Sequence, residues 1–177
     1  MWLQHSGGRW HQDDVRLLQG DDREELAMTT FADFYEQERA GAIRLAWLLT
    51  HDGSTAEDVV QDAFTRVFHR FDTLDHPAAY LRRVVVNGVY ERSRREGREV
   101  RRIELVAREV PTSVEGPTGG LVDAIAQLPL NQRTAVVLRY WADLDHHAIA
   151  DAMDVRPGTV RSLLSRATAQ LRKDIAP

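Results

Sequence analysis

Hydrophobic positions along the chain recur at helical spacing in one segment after another, with turn residues between the segments. The clearest case lies between Leu144 and Lys173. Asp145 stands ready to cap a helix over His146 to Met153. Asp154-Val155-Arg156 reads as a tight turn, and Pro157 opens a second helix, where its missing N–H has no cost. In that second helix Val160, Leu163, Leu164, Ala167 and Leu171 fall within about 100° of arc, the width of a buried stripe. Arg161, Ser162, Ser165, Thr168, Ala169 and Arg172 face the other way. Two helices across a tight turn, the second apolar on one side and basic and hydroxyl-bearing on the other, are the parts of a helix-turn-helix DNA reader. An ordinary helical hairpin with a solvated basic face is the plainer alternative.

The same periodicity predicts the rest of the chain. Residues 30–50 form a helix with Phe31, Phe34, Ile43, Ala46, Trp47 and Leu48 as core. After the His51-Asp52-Gly53 turn, Ser54 with Glu57 three residues on reads as a capping box for a helix to about Phe71. Val60, Ala63, Phe64, Val67, Phe68 and Phe71 share one face of it, and Asp58, Gln61, Asp62, Thr65 and His69 the other. Pro77 opens a helix to about Arg95, with Leu81, Val84, Val85 and Gly88 as its core side. A glycine there costs up to about 1 kcal/mol relative to alanine and implies close packing or a bend. Arg83, Asn87, Tyr90 and Arg94 recur at i, i+4, i+7 and i+11 on another side. Arginine for phosphate, an amide for base edges and an aromatic ring for stacking suit single-stranded nucleic acid. A solvated arginine-rich face would show the same residues.

Residues 96–118 then change character: dense charge is followed by Pro111, Gly116, Pro117, Gly119 and Gly120, which reads as a domain boundary. Beyond it, 121–127 is a short helix with Leu121, Ile125 and Leu128 inward. Asn131 is a candidate cap for a helix to about Trp141, anchored by Val136, Val137, Tyr140 and Trp141. The expected architecture is all-α: two small helical domains, about 30–95 and 120–174, joined by a flexible linker, the second a helix-turn-helix domain. Residues 1–27 lack sustained periodicity and read as a mobile acidic extension, with at most a short helix near 13–19 and with Met28 a second potential start.

Charge sharpens this picture. The chain carries a net charge of −4, but the charge is segregated. Residues 1–38 hold nine acidic residues against three arginines, and residues 82–102 hold eight arginines against three glutamates. Arg156 to Lys173 hold five basic residues and no acidic one. Local patches, not net charge, make contacts. Arginine supplies 22 of the 23 basic residues; it suits bidentate phosphate and guanine contacts, although GC-rich codon usage is the better explanation of the overall ratio. With no cysteine, disulfides, thiolate zinc sites and a cysteine nucleophile are excluded. The chain has neither an apolar run of membrane-spanning length nor a signal-peptide pattern, which predicts a cytoplasmic protein without a membrane partner.

Three motifs and their order resemble bacterial RNA polymerase sigma factors of the extracytoplasmic-function type, over about residues 28–174. Ala56-Glu57-Asp58-Val59-Val60-Gln61-Asp62-Ala63-Phe64 is similar to the AEDLVQETF motif of sigma region 2. Ala79-Tyr80-Leu81-Arg82-Arg83 through Val86-Asn87, followed by Arg92, Arg94 and Arg95, resembles its AWLYRIARN segment. Leu128-Pro129 through Arg133, then Gly158-Thr159-Val160-Arg161-Ser162 through Arg166-Ala167, resembles region 4.

The resemblance implies roles that periodicity does not. It implies binding of core RNA polymerase through its β′ clamp by Glu57, Asp58, Gln61, Asp62 and Arg66. Arg82, Arg83, Asn87, Tyr90, Arg94 and Arg95 would hold the opened −10 strand of promoter DNA, with a flipped base received near Asn87. Arg156, Thr159, Arg161, Ser162, Ser165 and Arg166 would read the −35 element in the major groove. The helix over 131–141 would lie against the β flap, and the linker would run towards the RNA exit path. An anti-sigma protein is a further partner of such factors.

No cofactor, metal or catalytic residue is expected, because holding melted DNA is differential binding to single strand over duplex. Asp143, Asp145, His146 and His147 can be drawn as a metal cluster, but adjacent histidines point about 100° apart on a helix and no i, i+4 histidine pair exists. No G-x-S-x-G turn marks a hydrolase. The competing reading is a stand-alone helix-turn-helix regulator with a helical sensor domain.

Overall fold

The computed structural model describes residues 20–104 and 120–175, with side chains from 31 to 96 and from 120 to 174. The described residues are helical with connecting turns: α1 (Gly20–Thr50), α2 (Gly53–Phe68), a 3-10 turn (Phe71–Thr73), α3 (Pro77–Glu104), α4 (Leu121–Ala126), α5 (Leu130–Tyr140), α6 (His146–Met153) and α7 (Pro157–Ile175). Two compact units are present. In the first, which ends at Gln37, the Phe31 ring lies 6.2 Å from Phe34 and 6.5 Å from Tyr35. The second runs from Glu38 to the C-terminus and holds both expected helical groups.

Several boundaries differ from those read off the sequence. α1 begins at Gly20 rather than near 30. The short helix expected at 13–19 lies outside the described residues. α3 continues to Glu104 instead of ending near Arg95, so the first part of the expected linker is helix. No proline interrupts it before Pro111, and Arg92 reaches Glu96 one turn on at 3.4 Å. Residues 105–119 of that linker lie outside the described residues.

The cap of α2 is Asp52, not Ser54. Asp52 has extended backbone angles, and its carboxylate accepts from the Thr55 N–H at 2.6 Å, which holds the carboxyl below its ordinary range. Ser54 is already inside the helix. The cap expected at Asn131 is also displaced: α5 starts at Leu130 after Pro129, and the Asn131 side chain accepts only from the neighbouring Gln132 N–H.

The core of the second unit joins α1, α2 and α3. Its α1 row is Ala42, Leu45, Ala46 and Leu49, all buried at i, i+3, i+4 and i+7. Of the expected core positions in this unit, Ala46 is buried, while Ile43, Trp47 and Leu48 lie one place round the helix from the buried row and are half-buried. On α2 the buried residues are Ala56, Val59, Val60, Ala63, Phe64 and Val67, while Phe68 is 44% exposed and Phe71 half-buried. α2 ends at Phe68, so the last two aromatics fall beyond the regular face. Each fully buried leucine or valine contributes about 1.5–3 kcal/mol relative to an exposed one.

Gly88 resolves as close packing. A Cβ built on it would stand 3.0 Å from Val59 Cγ1, so α2 and α3 approach through the glycine. In the C-terminal group, Ala124, Leu128, Ala135, Val136, Val137, Leu138, Ile149, Val160, Leu163, Leu164 and Ala167 are buried. Leu121 (54%), Tyr140 (70%) and Trp141 (39%) are exposed, contrary to their expected anchoring roles. The ends of short helices lie at the rim, where neither neighbour covers them.

Candidate nucleic-acid interface

The helix-turn-helix is built as its sequence specifies. The Asp145 carboxylate accepts from the N–H groups of His147 and Ala148, each at 2.8 Å, and these bonds hold its pKa below the ordinary carboxylate value. Asp154 closes α6 in the left-handed region (φ 55°, ψ 48°), a conformation a short polar side chain tolerates, and the Val155 N–H returns to the Ala150 carbonyl at 3.0 Å. Pro157 then starts α7. Val160, Leu163, Leu164 and Ala167 are buried and Leu171 half-buried. Arg156, Thr159, Arg161, Ser162, Ser165 and Arg166 are all exposed, so α7 presents the basic side that major-groove reading requires. The Ser162 hydroxyl donates to the Gly158 carbonyl at 3.1 Å.

On α2, Glu57, Asp58, Gln61, Asp62 and Arg66 are exposed as one polar face. Asp58 is bridged by Arg92 of α3 at 3.2 Å, and Arg66 stands 3.9 Å from Glu91. Exposed pairs of this kind are worth at most about 1 kcal/mol, so both side chains are available to a partner.

The stripe on α3 is the part the structure changes most. Arg94 and Arg95 are exposed. Arg82 and Arg83 line a cleft of about 450 Å³ against α6, together with Tyr80, Asp151 and Asp154. Arg83 pairs with Asp154, in the turn of the helix-turn-helix, at 3.5 Å. Tyr90 is half-buried, and its hydroxyl donates to Thr134 Oγ1 on α5 at 3.3 Å. Removal from water raises its pKa. Asn87 is half-buried. The stripe therefore lies against the second helical group.

Two features are not legible in the periodicity. Val86 and Val89 are buried beside Val84 and Val85, and four such positions span more arc than one neighbouring helix covers. α3 is packed between α2 and α6. The second feature is Arg133, which the sequence marks only as the end of a motif. Its guanidinium donates to the Leu49 carbonyl at the end of α1 and to the carbonyls of Ala126 and Leu128 at the end of α4. It also stands 3.5 Å from His51 Nδ1. Burial lowers the Arg133 pKa. Burial first, then the Arg133 charge, lowers that of His51, with Asp123 and a hydrogen bond to the Val122 backbone acting in the opposite direction. The sequence offers little signal for this role, since Arg133 is one of two arginines in a helix that also carries Asn131, Gln132 and Thr134.

Among the described residues no group of three or more histidine, cysteine or acidic side chains could hold a metal, and Asp145 is occupied as a cap. Among them, too, no helix is long and apolar enough to cross a membrane.

Comparison with known proteins places this geometry. Residues 34–99 match the model of sigma-70 region 2, and residues 119–171 that of sigma-70 region 4. The RNA polymerase sigma-E factor of Streptomyces coelicolor is 32% identical over 160 residues, covering 82% of this chain and 85% of that protein. The ECF RNA polymerase sigma factor SigM of Mycobacterium tuberculosis is 30% identical over 178 residues, covering 94% and 87%. Among solved structures, the sigma factor RpoE of Bartonella quintana, crystallised with the anti-sigma factor NepR, superposes with a TM-score of 0.65. It is 24% identical and covers 80% of this chain and 95% of that one, a likeness of fold. With regions 2 and 4 in order on one chain and relatives at this identity along nearly its whole length, the chain belongs to the extracytoplasmic-function group of the sigma-70 family of RNA polymerase sigma factors.

Proposed function

We propose that the chain is an alternative sigma factor that binds core RNA polymerase, directs it to a restricted set of promoters and helps open them in the cytoplasm. In this reading, residues 28–95 are the region 2 domain, 96–119 the linker and 120–177 the region 4 domain. The observation that carries it is the pairing, on one chain, of an exposed acidic face on α2 with an exposed basic helix on α7. A stand-alone regulator has no use for the first.

Glu57, Asp58, Gln61, Asp62 and Arg66 meet the β′ clamp. Arg82, Arg83, Asn87, Tyr90, Arg94 and Arg95 hold the melted −10 strand, with a base flipped out near Asn87. Arg156, Thr159, Arg161, Ser162, Ser165 and Arg166 read the −35 duplex. Tyr140 and Trp141, exposed at the end of α5, meet the β flap. An anti-sigma protein is the partner class that restrains such a factor. Binding energy does the work throughout, so no catalytic residue is assigned.

The test separates the two activities. Arg161→Ala and Arg166→Ala should each lower promoter-specific run-off transcription on genomic fragments about 10- to 100-fold, the scale of a lost base contact, and leave binding to purified core polymerase intact. Asp62→Lys should do the reverse. Loss of core binding in the arginine variants, or normal core affinity in Asp62→Lys, would overturn the assignment.

A further inference from the structure

The basic side of α7 continues beyond the residues assigned above to the −35 duplex. At about 100° per residue, Arg161, Ser165, Ser162 and Arg166 span about 140° of arc, and Arg172 and Lys173 fall inside it, about 20° and 120° round from Arg161. All six are exposed. The two groups differ in height. Arg172 is 11 positions after Arg161, and Lys173 the same distance after Ser162, a rise of about 16 Å along the helix. The major groove is about 12 Å wide, and the N-terminal residues of a recognition helix meet the base edges. With Arg161 and Ser162 at the bases, the last turn of α7 stands beyond the groove, level with the flanking phosphates.

Cations in a last turn also favour the helix dipole, which accounts for Arg172 and Lys173 without any DNA. The neighbouring acid is what distinguishes the two accounts. Asp174 is the one acidic residue of α7, and a carboxylate at a helix C-terminus opposes the dipole. It follows the two cations directly and pairs with neither. Both of its oxygens accept instead from the Gln170 side-chain amide one turn back, each at 3.1 Å. Gln170 and Asp174 lie about 180° and 220° round from Arg161, outside the basic arc. The amide thus draws the negative charge off this face. Among the described residues Arg172 and Lys173 have no carboxylate partner, unlike Arg66, Arg83 and Arg92. A glutamine–aspartate pair at this spacing stabilises a helix only slightly, so its larger effect is on where the charge sits.

We propose that Arg172 and Lys173 contact DNA phosphates beside the −35 bases, and that Gln170 is a positioning residue that holds the Asp174 carboxylate away from the DNA backbone. This inference rests on the assignment of α7 to the −35 duplex. Phosphate contacts fix the helix on the duplex and add affinity without adding sequence preference.

The test uses the full chain assembled with core polymerase. The probes are a genomic fragment that supports run-off transcription and the same fragment with its −35 element scrambled. Affinity is followed by anisotropy between about 50 and 200 mM salt. Arg172→Ala and Lys173→Ala should each reduce the slope of log affinity against log salt by about 0.9. Each should weaken binding about five- to tenfold near 0.1 M salt, equally on both fragments. Arg161→Ala, in contrast, should weaken binding to the intact fragment alone. Gln170→Ala should weaken both by about two- to fivefold, the scale of one charge set near phosphate in water. Asp174→Asn in that background should restore the loss. A lower melting temperature with an unchanged salt slope in the variant carrying both Arg172→Ala and Lys173→Ala would mean that the two serve only the helix, and overturns the phosphate contacts. So does a loss confined to the intact fragment. Parent-like affinity in Gln170→Ala, or a loss that Asp174→Asn does not restore, overturns the positioning role. A reduced slope in the doubly substituted chain, with sequence preference intact in Arg161→Ala and Arg166→Ala, rejects the −35 base assignment and keeps the phosphate contacts.

Discussion

Gly88→Ala is a sharp test of how α2 and α3 are held. In an exposed helix this change would stabilise by about 0.8–1.0 kcal/mol from helix propensity alone. Here the new methyl would stand 3.0 Å from Val59 Cγ1 and 3.9 Å from Val59 Cβ and Cγ2. Val59 is buried, and as a β-branched residue in a helix it is held to one side-chain rotamer, so it has little room to yield. Forcing one methyl into a packed core costs about 1–3 kcal/mol. The two effects oppose, and Gly88→Ala should be net destabilising by about 0–2 kcal/mol, a fall in melting temperature of up to several degrees for a chain of this size.

The decisive measurement is the double variant. Val59→Ala removes the atom at 3.0 Å and leaves Cβ at 3.9 Å, an ordinary contact. In that background Gly88→Ala should stabilise by about 1 kcal/mol, because propensity acts unopposed and the methyl fills part of the space vacated. Urea unfolding of the four proteins yields the coupling, expected at about 1–3 kcal/mol, whereas independent sites add within about 0.5 kcal/mol. Additive behaviour would show that the glycine serves a bend and not close approach. The result bears on the proposed function because Val59 adjoins Asp58, one of the residues proposed to meet the polymerase, and Gly88 directly follows Asn87, proposed to receive the flipped base.

Other expectations follow from particular groups. Stability should fall in acid. His51 is held below its ordinary pKa of 6.5 in the folded protein, so the folded form binds fewer protons, and the His51 contribution is complete above 6.5 and lost as pH falls through the lower value. The melting temperature should therefore drop between pH 7.5 and 5.5, and His51→Gln should reduce that dependence; an equal drop in the variant would refute it. The Asp145 cap is depressed in the same sense for a carboxylate, so its contribution is present above the ordinary value of 3.8 and lost as pH falls through the folded one. Asp145→Asn, which still caps, should remove that part of the acid dependence of unfolding. Tyr140→Ala should leave the melting temperature unchanged, since the side chain is 70% exposed, while lowering core-dependent transcription.

The chain's local features are legible in its sequence. Asp145, Asp154 and Pro157 dictate where α6 ends and α7 begins, because caps, left-handed turns and proline act within a few residues. The stripe from Val160 to Ala167 and the polar face from Glu57 to Arg66 follow from periodicity, since a helix must bury one side and solvate the other. Where local signals compete, the sequence is ambiguous. Ser54 and Asp52 both suit a cap, and only the backbone angles at Asp52 decide between them. In α1, adjacent apolar positions allow more than one stripe, and the core selects Leu45 and Leu49. Tyr140 and Trp141 are apolar without being buried, because burial depends on a neighbour and not on the residue.

What only the tertiary structure decided is the pairing of the two halves. Arg83, Val86, Tyr90, Arg133 and His51 are separated by up to 82 positions, and no periodic pattern links them. Their meeting is a matter of which surfaces come together, and an arginine reads the same in sequence whether it reaches a phosphate, water or the carbonyl of Leu49.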